Sequence, residues 1–373
     1  MSESPHPIHR LVVKIGSSVL TDERGRLLPE RIDQLAQQVA SCAAERRQPV
    51  VVSSGAIACG MAKLGLAVRP KSLAQLQACA AIGQGELMHL YTRAFGGRGV
   101  LTAQVLLTQE DFSSRVRFRN AKQTLLTLLH RRVVPIVNEN DTVAVEEITF
   151  GDNDRLAALV AAAVDAQLLV VLSDVDGVLQ DGRPLERLDL RAQGGALDHG
   201  GRRQTTKGGM ISKLEAARIA GHSGIPMVIA NGTRPGILTD LLAGKAVGTL
   251  CVPPRTRLTS RQWWIAFSLR RPKGTLVVDA GAAEALLEKG KSLLASGVQD
   301  VQGQFEAGAF VTLTDGDGHE LARGVCRFSS SDLLRVRGMK SAEAARTLDR
   351  ARVPEVIHRN DLVLARDYRV GRR

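Results

Sequence analysis

The stretch Leu11-Val12-Val13-Lys14-Ile15-Gly16-Ser17-Ser18 joins an apolar run to a turn of small residues. A continuous apolar run with β-branched residues is typical of a parallel strand that is covered on both faces. Lys14 lies near the end of that run, where burial of an ammonium group is unfavourable unless an anion meets it. Gly16, Ser17 and Ser18 then offer backbone N–H groups that can surround a phosphate. The stretch therefore predicts the first strand of an α/β fold, with an anion site at its carboxyl end.

Apolar runs of this kind recur through the N-terminal two thirds of the chain and alternate with amphipathic helical patterns. The predicted strands are 11–15, 49–53, 99–106, 133–137, 167–172 and 226–230. The predicted helices are 29–46, 72–95, 115–132, 153–164, 209–222 and 234–242. Strands and helices that alternate in this way predict a three-layer α/β fold with a mainly parallel central sheet.

Composition and charge exclude several classes of protein. The chain has 373 residues, of which 44% are hydrophobic and 24% charged, so a globular protein of two to three domains is expected and a disordered or collagen-like one is excluded. No apolar run approaches the roughly 18–20 residues that cross a bilayer, and no membrane association is expected. Five widely spaced cysteines without a C-x-x-C pair favour a reduced cytoplasmic protein with no protein-bound metal site. The net charge of +12 suits an anionic partner, either a phosphate-bearing small molecule or nucleic acid.

The pattern changes after Cys251, and this change predicts a second domain. Residues 259–274 contain both tryptophans and one amphipathic segment, and they are interpreted as a linker after a catalytic domain of residues 1–258. Residues 275–373 form the predicted second domain, which is small and β-rich, with strands at 275–279, 298–302, 310–314, 320–328 and 363–364. The sequence Asp315-Gly316-Asp317-Gly318 between two of these strands predicts a hairpin turn.

Polar clusters follow the predicted strands, and the carboxyl ends of strands are where open α/β sheets bind ligands. Beyond the first stretch, the clusters are 53–57, 138–141 with 151–154, 173–174, and 207–213. The last of these opens a helix with two glycines, where backbone N–H groups and the helix dipole favour an anion. The carboxylates and amides of 138–141 and 151–154 suit a substrate with an ammonium group. Each cluster alone also fits a purely structural interpretation, as a helix cap or a lysine that extends into solvent.

Together the clusters supply two lysines, an anion-binding helix start and grouped carboxylates, but no pair of nucleophile and base. Phosphoryl transfer needs such a set, because its catalysis is mostly positioning and electrostatic stabilisation. Two apparent phosphate-binding signatures fail in detail. Gly83-Gln84-Gly85 reaches Met88 where a third glycine is required, and Gly290-Lys291-Ser292 has Ala285 where a P-loop begins with glycine.

These motifs, in this order, resemble those of the glutamate 5-kinases, which belong to the amino-acid kinase superfamily. Residues from Gly290 to Val325 resemble a PUA domain. The resemblance implies an amino-acid kinase fold followed by a PUA domain. It also implies ATP-dependent phosphorylation of the side-chain carboxylate of L-glutamate to glutamyl 5-phosphate, the first step of proline biosynthesis, with Mg²⁺ bridging the phosphates of ATP.

The resemblance also implies roles for individual residues. Lys14 and Lys213 would stabilise the transferred phosphoryl group, and Asp154 would orient both lysines. The residues implied to bind glutamate are Ser54, Asp141, Asn153, Asn138, Gly55 and Ala56. The residues implied to bind ATP are Lys14, Gly16, Ser17, Ser173, Asp174, Lys207, Gly208, Gly209, Met210, Ile211, Ser212 and Lys213. Lys207 and Ile211 depart from the family pattern, which commonly has a threonine and a small hydroxyl residue at these positions.

Other partners and other functions remain open at this stage. The family implies a homo-oligomer (dimer or tetramer) and feedback inhibition by proline. A partnership with glutamyl phosphate reductase would suit the product, because acyl phosphates hydrolyse and cyclise. The nearest alternative substrates are N-acetylglutamate, aspartate and a nucleoside monophosphate, because one methylene in a pocket discriminates by only about 1–3 kcal/mol. An RNA-binding PUA protein with a vestigial kinase domain is the alternative from another class. Residues 275–373 lack the interleaved basic and aromatic residues of RNA-stacking surfaces, and RNA binding is therefore not expected.

Overall fold

A computed structural model of the chain describes residues 8–144, 153–180, 182–190, 209–254, 258–267 and 272–368. The chain divides into two compact units, Met1–Arg257 and Leu258–Arg373. The described strands of the first unit are β1 (Arg10–Ile15), β2 (Gln48–Ser53), β3 (Thr102–Leu107), β4 (Val134–Glu139), β5 (Leu168–Ser173), β6 (Leu179–Gln180), β7 (Arg183–Pro184), β8 (Arg187–Asp189), β9 (Met227–Asn231) and β10 (Thr249–Val252). Its described helices are α1 (Ser17–Leu20), α2 (Pro29–Ala44), α3 (Ala56–Lys63), α4 (Leu73–Gly96), α5 (Arg115–His130), α6 (Asp154–Ala163), α7 (Met210–His222) and α8 (Ile237–Leu242), with a 3₁₀ turn at Gln109–Phe112.

A mainly parallel sheet lies at the centre of the first unit. Its strands run in the order β3-β4-β2-β1-β5-β9-β10-β8, and neighbouring strands are parallel except for β9 and β10. β1 therefore lies between β2 and β5, with their carboxyl ends at the same edge. The predicted α/β architecture with a mainly parallel sheet is confirmed.

The central strands are apolar except near their ends because both faces of the sheet are covered. β4 and β5 are buried at every position, and β1 at every position after Arg10. One face packs against α2, whose buried residues recur with helical spacing from Ile32 to Val39 and whose first residue, Pro29, suits a helix start. α6 is buried at eight of its ten positions, which explains its content of alanine and leucine.

Helices α3 and α4 cross in backbone contact. A Cβ at Gly60 would lie 1.8 Å from the carbonyl oxygen of Cys79, and one at Gly83 would lie 1.8 Å from that of Ala56. Only glycine permits so close an approach. Gly83, the first residue of the rejected phosphate-binding signature Gly83-Gln84-Gly85, therefore has a packing role, and it lies against the first residue of α3.

The second unit contains a five-stranded sheet in the order β12-β11-β13-β14-β15. Its described elements are α9 (Ser260–Phe267), β11 (Gly274–Val278), α10 (Ala280–Leu287), β12 (Val298–Gln302), β13 (Phe310–Thr314), β14 (Glu320–Val325), α11 (Ser330–Val336), α12 (Ser341–Thr347), β15 (Leu362–Leu364) and α13 (Ala365–Tyr368). The predicted β-rich domain is present, and β13 and β14 form the hairpin that was predicted around Asp315. The strand predicted at 320–328 ends at Val325.

The interpretation of 259–274 as a linker does not describe α9, which lies within that range and belongs to the second unit. Trp263, Ile265 and Phe267 are buried, and the helix contacts β14 and β15. The apolar face that the sequence showed is therefore packed against the C-terminal sheet. Within the described residues, no helix is both long and apolar enough to cross a membrane.

Candidate active site

Lys14, Asp154 and Lys213 meet in the interior of the first unit. The Nζ atom of Lys14 lies 2.5 Å from Oδ1 of Asp154, and the Nζ atom of Lys213 lies 3.3 Å from Oδ2. The Asp154 side chain is fully buried, and the two lysine side chains are 4% and 9% exposed. Two ammonium groups thus share one carboxylate in a site that water hardly reaches.

The fold brings these three residues together from distant parts of the sequence. Lys14 is the last residue but one of β1, in the middle of the sheet, and Asp154 is the first residue of α6. Lys213 lies in the first turn of α7, where the helix dipole disfavours a cation unless an anion is close. Asp154 supplies that anion, and it also accepts a hydrogen bond of 3.1 Å from the Ser212 hydroxyl.

Gly16 brings the turn after β1 close to β5. Its N–H donates to the carbonyl oxygen of Leu172 at 3.0 Å, and a Cβ at this position would lie 3.2 Å from that oxygen. A larger residue would therefore push the turn away from the sheet edge. Ser17 begins α1 and is exposed. The phosphate-binding backbone that the sequence predicted is thus placed beside Lys14.

A chain of amides lies next to the lysines. Nδ2 of Asn153 donates to Oδ1 of Asn138 at 2.7 Å and to the carbonyl oxygen of Ser53 at 2.5 Å, and it lies 3.5 Å from Oγ of Ser54. Asn153 directly precedes Asp154, so the amide chain and the lysine cluster are joined at the start of α6. Gly55 directly follows Ser54 in the chain and has φ +106°, a left-handed conformation that favours glycine. It is the N-cap residue of α3, which begins at Ala56.

Asp141 lies in the turn after β4 and is half-buried. Burial raises the pKa of Asp141 to about 6, although the charge of Arg69 opposes this rise. A carboxylate in this setting gains much from an ammonium partner, because such a partner favours the charged form. The residue therefore suits the recognition of an amino group.

Ser173 and Asp174 follow β5, and they form the third side of the site. The Ser173 hydroxyl donates to Oδ1 of Asp174 at 3.0 Å. Burial alone raises the pKa of Asp174, but hydrogen bonds from Ser173, from the backbone and from Ser18, together with the charge of Lys213, lower it overall. The turn after β1, the end of β5 and the start of α7 are thus in electrostatic contact.

Comparison with known proteins identifies the family. Residues 9–231 match the amino acid kinase family, and residues 274–348 match the PUA domain. The glutamate 5-kinase of Caldanaerobacter subterraneus subsp. tengcongensis is 44% identical over 95% of this chain and 97% of its own length. Those of Geobacter metallireducens and Thermus thermophilus are 46% and 47% identical, over 96% and 95% of this chain and 98% and 97% of their own lengths. The chain belongs to the glutamate 5-kinase family. The predicted amino-acid kinase fold with a C-terminal PUA domain is confirmed.

The glycine-rich segment that is expected to bind ATP in this member of the glutamate 5-kinase family is described only in part. Gly209, Met210, Ile211 and Ser212 are described around the start of α7, where Ile211 is 62% exposed. Lys207 and Gly208 lie outside the described residues, as do Gly151 and Asp152 of the motif before Asn153. A side chain as exposed as that of Ile211 has room for a change of residue type. This exposure is consistent with the departure from the family pattern at that position.

Sequence reasoning missed three residues next to this candidate site. The Ser53 hydroxyl lies 2.8 Å from the Tyr91 hydroxyl, and Oε1 of Gln84 accepts a hydrogen bond of 2.7 Å from Asn138. Gln84 and Tyr91 belong to α4, which does not follow a strand and so gave no signal at the sheet edge. Ser53 was quoted within a motif, but its side chain was given no role.

Proposed function

We propose that this chain transfers the γ-phosphoryl group of ATP to the side-chain carboxylate of L-glutamate, in the first step of proline biosynthesis. A carboxylate oxygen forms a bond to the γ-phosphorus while the bond to the β,γ-bridging oxygen breaks, and the products are glutamyl 5-phosphate and ADP. The observation that carries the proposal is the pair of buried ammonium groups, 2.5 Å and 3.3 Å from a single carboxylate. Such a pair supplies the charge that two reacting anions need.

The lysines act by electrostatics rather than by proton transfer. The glutamate carboxylate has an ordinary pKa near 4 and is ionised at neutral pH, so the reaction requires no general base. Lys14 and Lys213 offset the charge that the attacking carboxylate and the phosphates bring together, and Asp154 holds both lysines in place. Ammonium groups that are already oriented in a desolvated site need no reorganisation during the reaction.

The amide chain beside the lysines forms the proposed glutamate site. Asn138, Asn153 and Ser54 offer side-chain amide and hydroxyl groups, and Gly55 and Ala56 offer backbone N–H groups at the start of α3. The Asn138 amide, the Ser54 hydroxyl and the two backbone N–H groups suit the carboxylates of the substrate. Both N–H groups of Asn153 are already donated to Asn138 and to Ser53, so its Oδ1, like Asp141, suits the ammonium group. A free amine is favoured over an acetylated one because it is protonated and carries a positive charge that the Asp141 carboxylate attracts, whereas an acetylated amine is neutral.

The proposed ATP contacts are the other residues around the two lysines. Gly16 and Ser17, Ser173 and Asp174, and the residues from Lys207 to Lys213 are the proposed contacts. Around the lysines the donors are ammonium and backbone N–H groups, which fit phosphate oxygens, and both oxygens of Asp154 face cations. Mg²⁺ binds acceptor oxygens rather than N–H donors, and both Asp154 oxygens face cations, so Mg²⁺ would be held by the phosphates of ATP and would neutralise their charge there. The protein's own part is to hold the phosphates and exclude water.

An ATP-consumption assay with L-glutamate, aspartate and N-acetylglutamate tests the proposal. Glutamate should be the best substrate. Lys14→Ala and Lys213→Ala should each lower kcat by about 10²–10³, the effect of losing one electrostatic donor. Lys122→Ala is the control, because Lys122 pairs with Asp165 at 2.8 Å at the surface, away from the active-site cluster. Near wild-type turnover in either active-site variant would refute its role.

The remaining partners are proposals from the family resemblance. They are a homo-oligomer (dimer or tetramer), inhibition by proline, and transfer of the product to glutamyl phosphate reductase. We also propose a cytoplasmic location, because all five cysteines are free and buried, as in proteins of reducing compartments.

A further inference from the structure

Helix α4 presents two polar side chains to the proposed glutamate site. Gln84 and Tyr91 are seven residues apart, which is about two helical turns, so they lie on the same side of the helix. Gln84 is half-buried and contacts the end of β4, and Tyr91 is 1% exposed and contacts the end of β2. The helix comes close enough for these contacts because Gly83 packs directly on the backbone of Ala56.

The Tyr91 hydroxyl fixes the direction of a backbone N–H group. The Ser53 hydroxyl lies 2.8 Å from the Tyr91 hydroxyl and 3.0 Å from the carbonyl oxygen of Ser54. With Tyr91 as the donor in the bond between the two hydroxyls, the single proton of Ser53 is directed to that carbonyl oxygen. The carbonyl of Ser54 and the N–H of Gly55 belong to one planar peptide group. A held carbonyl therefore fixes the direction of the N–H of Gly55, one of the proposed glutamate donors.

Gln84 fixes the orientation of two side-chain amides. Its Oε1 accepts from Nδ2 of Asn138 at 2.7 Å, which leaves Oδ1 of Asn138 as the acceptor for Asn153 at 2.7 Å and for the N–H of Glu139 at 2.9 Å. Nδ2 of Asn153 in turn reaches the carbonyl oxygen of Ser53. With the Gln84 acceptor removed, the Asn138 amide keeps the two bonds to its Oδ1 but loses the bond from its Nδ2, so the side chain is held from one side only.

We propose that Gln84 and Tyr91 are positioning residues for glutamate, Gln84 through Asn138 and Tyr91 through Ser53. This inference rests on the proposed function. Loss of either side chain leaves the lysines and the residues of the ATP side in place, but it loosens the groups that face glutamate. The consequence is a higher KM for glutamate and an unchanged KM for ATP.

Gln84→Met and Tyr91→Phe test this inference, because each removes the hydrogen bond and keeps most of the side-chain volume. Each variant should raise the KM for glutamate about threefold to tenfold, the range for a lost hydrogen bond, while the KM for ATP stays within about twofold. Thr92→Val is the control: it removes a hydrogen bond of the same helix, to Thr102 on β3, and should leave both KM values unchanged.

Double variants show whether the two side chains act through their partners. In an Asn138→Ala background, Gln84→Met should change the KM for glutamate by less than about twofold, and Tyr91→Phe should do the same in a Ser53→Ala background. A merely structural contribution would persist in both backgrounds.

The outcomes separate this inference from the function on which it rests. If the wild-type protein does not phosphorylate glutamate, the proposed function is refuted. If the wild type is active and both single variants keep its KM for glutamate, or if their effects persist in the double variants, the inference alone is wrong. Should one single variant fail to fold, the other decides, because each acts through a different partner.

Discussion

Asparagine in place of Asp154 keeps the size of the side chain and removes the negative charge that faces Lys14 and Lys213. In the wild-type protein that charge lies 2.5 Å from one ammonium nitrogen and 3.3 Å from the other. The Asp154→Asn variant leaves both ammonium groups desolvated and next to a neutral amide. We expect the free protein to lose stability, and we expect a bound polyphosphate to restore part of it.

The magnitude follows from the two distances. At an effective dielectric constant of about 20, each ammonium–carboxylate attraction is roughly 5–7 kcal/mol, most of which offsets the desolvation of the three groups. Removal of one partner from a buried ion pair typically costs about 3–5 kcal/mol, because the other charge stays buried. We therefore expect Asp154→Asn to lower the free energy of unfolding by about 3–5 kcal/mol in the absence of nucleotide.

Urea denaturation followed by circular dichroism measures this loss. Asp33→Asn is the matched control, because Asp33 accepts two hydrogen bonds from Arg98 at 2.8 and 2.9 Å but is 55% exposed. Such a surface pair contributes about 0–1 kcal/mol. Addition of ATP should stabilise Asp154→Asn more than it stabilises Asp33→Asn, since phosphate supplies the missing charge. Equal small losses in the two variants would show that Asp154 does not balance two buried charges.

Three further results are expected from the same structure. Burial raises the pKa of Asp141 to about 6, so the KM for glutamate should be constant above that pH and should rise below it, as Asp141 is protonated. An Asp141→Asn variant should have a higher KM for glutamate throughout, with no pH dependence between pH 5 and 8. A wild-type KM that does not change over this range would contradict the role of Asp141. Gly83→Ala should lower the midpoint of thermal unfolding and raise the KM for glutamate, because the new Cβ would lie 1.8 Å from the carbonyl oxygen of Ala56. Gly85→Ala is the control, because its Cβ would have no atom within 4 Å. Equal midpoints and equal KM values for the two variants would contradict the role of this contact. A chain that ends at residue 258 should keep measurable kinase turnover if residues 1–258 are the catalytic domain, whereas complete loss in a soluble truncated protein would show that the C-terminal unit is essential.

The sequence predicted the central strands well because their composition has one cause. β1, β2, β4 and β5 are apolar except near their ends, since helices cover both faces of the sheet. β10 escaped prediction because it has only four residues and pairs antiparallel to β9. α3 escaped because it is short and contains Gly60, which is unfavourable in a helix and is explained only by its contact with Cys79.

The site was predictable to the extent that strand ends share an edge. Four of the predicted site residues lie at or just after the carboxyl end of a parallel strand: Lys14, Ser54, Asn138 and Ser173. Because the carboxyl ends of parallel strands meet at one edge of the sheet, the sequence pattern predicts that these residues lie close together. Gln84 has no such signal, because it lies within a helix and its contact with Asn138 depends on how that helix crosses α3. Contacts set by a helix crossing need the three-dimensional structure.

In the proposed function, two lysines around one fully buried carboxylate give a cluster that is held together by its own ion pairs and still attracts phosphate. The charges of Lys14, Lys213 and Asp154 alone sum to one positive charge. Asp174 also lies within the field of Lys213, but it is exposed, and solvent screens its charge. Full neutralisation would stabilise the free protein and remove the attraction for phosphate. A neutral residue at position 154 would strengthen that attraction and destabilise the fold. Asp154 therefore balances stability against phosphate binding, because it neutralises one of the two lysine charges and leaves the other.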